Sequence, residues 1–199
     1  MHNLETPRLK VGVFNPQDSF GQALIAAALH RQHEVTALVD DLNRITARPG
    51  LRCKLGSLDS ALTVTRAIAG LDVVFACLGD EPQEDLPPQC GCLLDGALGL
   101  GNAGIPRLFL IGRWQWLVDP DNADDEALGA GLRRSLDVSG LDWTLVQAPA
   151  LAEGLRVDDF SGTAQAGEAD AQRAFSCAEA LLDEVRLALH RHQCLRLRE

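Results

Sequence analysis

Leu9–Arg31 reads LKVGVFNPQDSFGQALIAAALHR, and a change of rhythm inside it decides the fold. Leu9–Phe14 is a compact run of β-forming residues. From Ser19 to about Arg31 the apolar positions take helical spacing, with Phe20, Leu24 and Ala28 on one face and Ile25 and Leu29 beside them. A strand that feeds a helix through a short turn is the opening of a βαβ unit.

The rest of the chain repeats the alternation. Strands are predicted at Glu34–Val39 (EVTALV), Leu51–Leu55, Leu71–Leu78 (LDVVFACL), Arg107–Ile111 and Leu141–Val146, and Leu195–Leu197 could add a final one. The almost wholly apolar Leu71–Leu78 is what a central parallel strand covered on both faces requires. Helices are predicted at Ala61–Ala69, closed by Gly70, at about Cys90–Ala103, and at Asp125–Val138. A last helix is expected to open at Ser176, where Ser176 and Glu179 have capping-box spacing, and to run through Leu181, Leu182 and Val185. The reading is an α/β fold: a Rossmann-like, doubly wound parallel sheet with helices on both faces, in a single domain over residues 1–199. Asp119–Glu126 (DPDNADDE) reads as a solvated acidic loop, since it lacks the glycine and terminal glutamate of a calcium loop. Glu153–Gly167 is the least regular stretch.

Composition narrows the function. The 199 residues are 46% hydrophobic and 23% charged, enough to bury a core, and the net charge of −10 argues against nucleic acid or an anionic membrane as the main partner. No apolar run approaches the roughly 20 residues of a membrane span, and the first residues lack the apolar centre of a signal peptide, so a cytoplasmic location is expected. There is no tyrosine, and Lys10 and Lys54 are the only lysines, so mechanisms needing a phenol or a lysine in the second half are excluded. The six cysteines read as reduced core thiols.

In such folds ligands bind at the carboxyl ends of the strands, which directs attention to the first β–α turn, Asn15-Pro16-Gln17-Asp18-Ser19-Phe20-Gly21. Taken with Lys10–Phe14, His33–Val39 (HEVTALV), Ala69–Gly79 (AGLDVVFACLG) and Ser139–Val146 (SGLDWTLV), the chain resembles the atypical short-chain dehydrogenase/reductase family. The NmrA-like and biliverdin reductase B-type flavin reductases are the relevant members. That resemblance spans nearly the whole chain. It implies an NAD(P)-binding fold, with cofactor contacts at Asn15, Gln17, Asp18, Ser19, Phe20 and Gly21, at Asp40, and at Leu78 and Gly79.

Carried over residue by residue, the likeness is uneven. The family's turn is G-x-x-G-x-x-G, and here its first two glycines fall on Asn15 and Asp18 while Gly21 keeps the third. Asn and Asp tolerate left-handed backbone, so the turn itself can survive. A side chain at the middle position obstructs pyrophosphate, and one like-charge pair at 5 Å costs about 3 kcal/mol at an effective dielectric of about 20, roughly a hundredfold in affinity. Alternatively, Asp18 or Ser19 caps the helix, with Gln22 completing a box from Ser19. Weak or absent dinucleotide binding is the expectation. Asp40 ends the second strand 19 residues beyond Gly21, near the spacing of the carboxylate that takes an adenine-ribose diol. NADP-preferring relatives usually carry a basic residue there, so Asp40 points to NAD(H) over NADP(H), or else it is a solvated strand-end carboxylate beside Asp41. Gly56-Ser57 stands where the family often has Gly-Asp.

The family's tyrosine acid is impossible here. The serines that many relatives carry after the fifth strand are replaced by Gly112 and Arg113, and a frequent Arg-Pro after the sixth is replaced by Gln147-Ala148. Arg113-Trp114-Gln115-Trp116 should lie over the sheet's carboxyl edge, where Arg113, Trp114, Trp116 and Gln147 could contact a flat ligand or a protein partner. Packing of the tryptophans under the acidic loop is the alternative. Cys90-Gly91-Cys92 and His190–Cys194 lack the paired spacing of a zinc site, and no metal is expected. Cys77, with no cation in view, reads as inert.

Two functions remain open on sequence. One is a degenerate family member acting as a non-catalytic regulator, ligand sensor or assembly partner, with weak or no dinucleotide binding. The other is an NAD(P)H-dependent reductase, preferring NAD(H), acting on a flat acceptor such as a flavin or quinone. The first is preferred, because the changed residues are those of the site. The partner is expected to be a small molecule or a protein at the carboxyl edge, and a homodimer is compatible with either function.

Overall fold

The computed structural model describes residues 8–78, 88–100, 106–113, 123–151, 153–160 and 168–197. β1 (Lys10–Phe14), β2 (Glu34–Val39), β3 (Leu51–Leu55), β4 (Val73–Cys77), β5 (Arg107–Gly112), β6 (Trp143–Gln147) and β7 (Gln193–Arg196) form one sheet of seven strands in the order β3-β2-β1-β4-β5-β6-β7. All six pairings are parallel. The order reverses between β1 and β4, which is where a doubly wound sheet opens its ligand crevice.

Each central strand sends alternate side chains to opposite faces. Val73, Phe75 and Cys77 of β4 join one core, and Val74 and Ala76 join the other. The first core lies under α1 (Ser19–His30) and α5 (Glu168–Leu187), and the second under α2 (Ala61–Ile68), α3 (Pro88–Leu98) and α4 (Ala123–Ser139). Phe75 and Phe109 meet in the first with ring centroids 4.9 Å apart. Burying one such side chain contributes about 1.5–3 kcal/mol, so the two cores account for much of the fold's stability.

Several boundaries differ from the sequence reading, among them the end of α3, at Leu98 where a helix to about Ala103 was expected. α5 begins at Glu168, and Ser176 lies in its interior, within 3.5 Å of Gln172 Nε2. The capping-box spacing at Ser176 is overruled by an apolar stripe that starts earlier: Ala171, Ala174 and Ala178 are all buried. α4 begins at Ala123, two residues before the helix expected at Asp125–Val138, and so takes in part of the stretch read as an acidic loop. β7 runs over Gln193–Arg196, shifted towards the N-terminus from Leu195–Leu197, because Cys194 pairs with Leu145 and Leu195 with Val146.

Candidate functional site

Asn15 makes the first turn possible. It sits in the left-handed region at φ +53°, its backbone N–H donates to Leu38 O, and its Nδ2 donates to Cys77 O at 3.0 Å. One residue thereby ties together the ends of β1, β2 and β4. Asp18, at the family's second glycine position, is at φ −84° and needs no glycine. Its Oδ1 accepts the Gly21 backbone N–H at 2.7 Å, so Asp18 is the N-cap of α1. The box expected from Ser19 is not formed. Ser19 Oγ accepts the Leu155 N–H at 3.1 Å, and Gln22 Nε2 donates to Pro16 O at 2.5 Å. Those partners come from the loop after β6 and from the turn itself, which a local pattern cannot reveal. Gly21 is held by packing: a Cβ there would lie 2.6 Å from Pro16 Cα.

Among the described residues, Gln17 lines three cavities that open along the carboxyl edge. One, of about 280 Å³, lies between the ends of β1, β2 and β3, with Asp40, Gly56, Ser57 and Leu58 among its walls. A second, of about 350 Å³, faces the ends of β5 and β6 and is lined by Asp18, Phe20, Arg113, Pro149, Leu151 and Glu153. The third, also about 350 Å³, lies on the α1 side of β2, against Gln22, Asp40, Asn43, Arg44 and Arg156. Gln17 Oε1 accepts a hydrogen bond from Arg44 Nη1.

The predicted positions therefore divide. Asn15, Gln17, Asp18, Ser19, Phe20, Gly21 and Asp40 gather around the turn and its cavities. Arg113 joins the cavity beyond β5, while Gln147 ends β6 in register with Gly112. Leu78 donates its N–H to Ile111 O and packs on the second core. Gly79, Trp114 and Trp116 lie outside the described residues. Arg44, Glu153 and Arg156 were missed. Arg44 follows Asp40 closely enough to have been weighed, but Glu153 and Arg156 arrive from the irregular loop after β6.

The other candidates resolve more simply. Burial, aided by the nearby Asp18 carboxylate, pushes the Cys77 thiol well up, and burial takes Cys90 to about 12. Neither is a thiolate at neutral pH. All six cysteines are free, and among the described residues no group of three or more His, Cys, Asp or Glu is placed to hold a metal ion. His190, read as part of a surface turn, is half-buried and lies 2.9 Å from Glu184 Oε2 through its Nδ1.

A family model described as NAD(P)H-binding matches residues 19–180, so this chain belongs to that NAD(P)H-binding family. Its fold is that of the atypical short-chain dehydrogenase/reductases and NmrA-like proteins. Among solved structures, a short-chain dehydrogenase/reductase-family oxidoreductase from Burkholderia thailandensis aligns with TM-score 0.66 at 16% identity, covering 96% of this chain and 92% of that one. A candidate NADH-flavin reductase from Streptococcus pneumoniae aligns at 0.59 and 20% identity, over 94% and 98%. The Bordetella bronchiseptica enzyme WbmH, in complex with NAD+, aligns at 0.63 and 14%, over 96% and 76%. A search of curated protein sequences finds no match.

The two ends of the crevice suit a dinucleotide unequally. Asp40, exposed at the end of β2 beside the cavity at Gly56–Leu58, can accept from a ribose diol. The pyrophosphate position departs from the family's glycine turn. There the Asp18 carboxylate takes the Gly21 N–H, one of the first-turn donors of α1, and an approaching phosphate meets a like charge.

Proposed function

We propose that this chain is a non-catalytic member of its family: a regulator, ligand sensor or assembly partner that binds dinucleotide weakly, NAD(H) in preference to NADP(H). The observation that carries this reading is the 2.7 Å bond from the Gly21 N–H to Asp18, which fills the helix N-terminus with the protein's own anion. Asp40 supports the preference for an unphosphorylated ribose. A small ligand or protein partner would engage Arg113, with Trp114 and Trp116 beside it in sequence.

Calorimetric titration with NADH and NADPH tests the reading. Weak or no heat from the parent protein, with a gain of at least tenfold in NADH affinity for Asp18→Gly, is expected. Micromolar NADH binding by the parent, or no gain on removing Asp18, would sink it. Adding Asp40→Ala to Asp18→Gly should reverse the gain.

A second reading, an NAD(P)H-dependent reductase of a flavin or quinone, is favoured by one feature. The cavity beyond β5 brings Phe20, Pro149 and Leu151 together with Arg113, an apolar wall with a cation at its rim. Oxidation of NADH by the parent protein in the presence of a flavin or quinone would establish this reading over the first.

A further inference from the structure

At the pole of the sheet away from the crevice, the chain passes from α5 to β7 through Leu187, Ala188 and Leu189, and these three residues differ from those on either side. Ala188 sits at φ +52°, in the left-handed position that follows a helix. Glycine or asparagine is usual there, and alanine has neither the freedom of the one nor the polar side chain of the other. Leu187 and Leu189 flank it at 62% and 65% exposed. If the link were extended, Ala188 would leave its left-handed backbone, and the two leucines, two positions apart, would share one face.

From His190 onwards the chain is fixed again. The His190 N–H donates to Glu184 Oε1, its Nδ1 lies 2.9 Å from Glu184 Oε2, and Thr144 Oγ1 donates to its carbonyl. The His192 N–H donates to Trp143 O at 2.8 Å, and its Nε2 lies 3.0 Å from Leu141 O. Gln193–Arg196 then pairs with β6, at one edge of the sheet. A strained three-residue link therefore joins two well-bonded bodies. The cations beside it have carboxylates at hand: Arg191 lies 3.4 Å from Asp142, and Arg186 acts on Asp183.

We propose that two copies of this chain dimerise by exchanging β7. The link Leu187–Leu189 extends, and His190–Arg196 of each copy docks on Glu184, Thr144 and β6 of the other. Every contact of the exchanged segment is remade, so the balance is set by the link alone. Each copy gives up the bond from the Ala188 N–H to Glu184 O and the freedom lost on association. Each regains unstrained backbone at Ala188, and short strained links favour exchange for that reason. Three extended residues span about 10 Å, so the two links meet at the two-fold axis and bury four leucines against one another. The occupant of this apolar pole is thus a second copy of the same chain. Nothing in the exchange depends on the phosphate turn, so it stands or falls separately from the function proposed above.

The experiment is sedimentation of the whole chain after refolding from urea over a range of protein concentrations. A dimer whose share grows with concentration during refolding is expected, and monomer throughout overturns the proposal. Exchange is told from simple contact by Gln147→Cys combined with Arg196→Cys, two positions in register on β6 and β7. Closed by oxidation or by a short bismaleimide, with the parent chain treated alike as control, the pair should link two chains in the dimer fraction and run as a covalent dimer on a denaturing gel. A dimer fraction that separates into single chains overturns the proposal. Ala188→Gly relaxes the closed link and should lower the association constant at least tenfold, and Leu187→Ser combined with Leu189→Ser should lower it as much while melting as the parent monomer does. An association constant that neither change moves also overturns it.

Discussion

At Asn15 and Asp18 the same family motif has been altered with opposite consequences. Asn15 occupies a left-handed position at φ +53°, which asparagine tolerates, and adds a side-chain bond to Cys77 O that glycine could not make. Asp18 has ordinary backbone and spends its carboxylate on the Gly21 N–H. Replacing Asp18 by glycine should therefore cost only a few tenths of a kcal/mol, since glycine is a fair N-cap, while opening the anion position. Chemical denaturation of Asp18→Gly, run beside its NADH titration, measures both. Gly21 is constrained differently. Its Cβ would stand 2.6 Å from Pro16 Cα, a backbone atom, so Gly21→Ala should destabilise by about 1–3 kcal/mol in the same assay. The tolerance of Asn15 could be read from residue type. The Gln22–Pro16 and Ser19–Leu155 bonds could not, because side chains with several acceptors choose among partners only once the chain is folded.

Between elements, closeness is set by small residues. Gly96 of α3 lies against α2, where a Cβ would meet Val64 Cγ1 at 2.6 Å and Ala61 O at 2.9 Å. Gly91, one and a half turns earlier in the same helix, has nothing within 4 Å. Gly96→Ala should thus cost about 1–3 kcal/mol by forcing the helices apart. By contrast, Gly91→Ala should gain about 0.5–1 kcal/mol from helix propensity. Thermal melts of the pair test the α2–α3 approach directly, and equal shifts would refute it. On one face of the sheet, α1 and α5 are joined at their rim by Arg31, whose Nη1 lies 2.6 Å from Asp183 Oδ1. The alanines Ala171, Ala174 and Ala178 were the signal that α5 starts early. A four-residue capping pattern weighs less than a buried stripe spanning two turns.

On the scale of the whole molecule, a buried polar network holds the side of the sheet away from the crevice. Arg107 of β5 donates from Nη2 to Glu184 Oε1 at 2.8 Å and from Nη1 to Glu184 O at 2.6 Å. The His190 N–H donates to the same carboxylate oxygen at 2.8 Å, and Thr144 Oγ1 donates to His190 O at 2.8 Å. The network fastens α5 and the turn before β7 to β5 and β6. Burial by itself would push the Glu184 carboxyl up, but hydrogen bonds from His190 and Arg107 outweigh it and hold it at about 2. A pKa depressed from 4.5 in this way contributes stability that is present above about pH 4.5 and lost as pH falls towards about 2. The urea midpoint of the parent should decline across that window, whereas Glu184→Gln should show a lower midpoint with a flatter profile. Glu184→Ala, which strands the Arg107 cation, should cost about 3–5 kcal/mol at neutral pH. An unchanged midpoint would mean that the network contributes nothing to stability.

The alternation of strands and helices, the parallel sheet and the family were legible in the sequence. They rest on periodicity: β4 is apolar throughout, and α1 repeats its apolar face every three to four residues. The departure of the phosphate turn from the family motif was equally legible, since glycine is absent at Asn15 and Asp18 whatever the chain folds into. The tertiary structure alone decided which group caps α1, and it alone brought Arg156 of one loop onto the same cavity as Arg44 of another. It also decided that His190 serves Glu184 at the far end of the sheet. Periodicity is a property of neighbours along the chain, whereas a binding cavity is made by residues whose only common coordinate is the end of a strand.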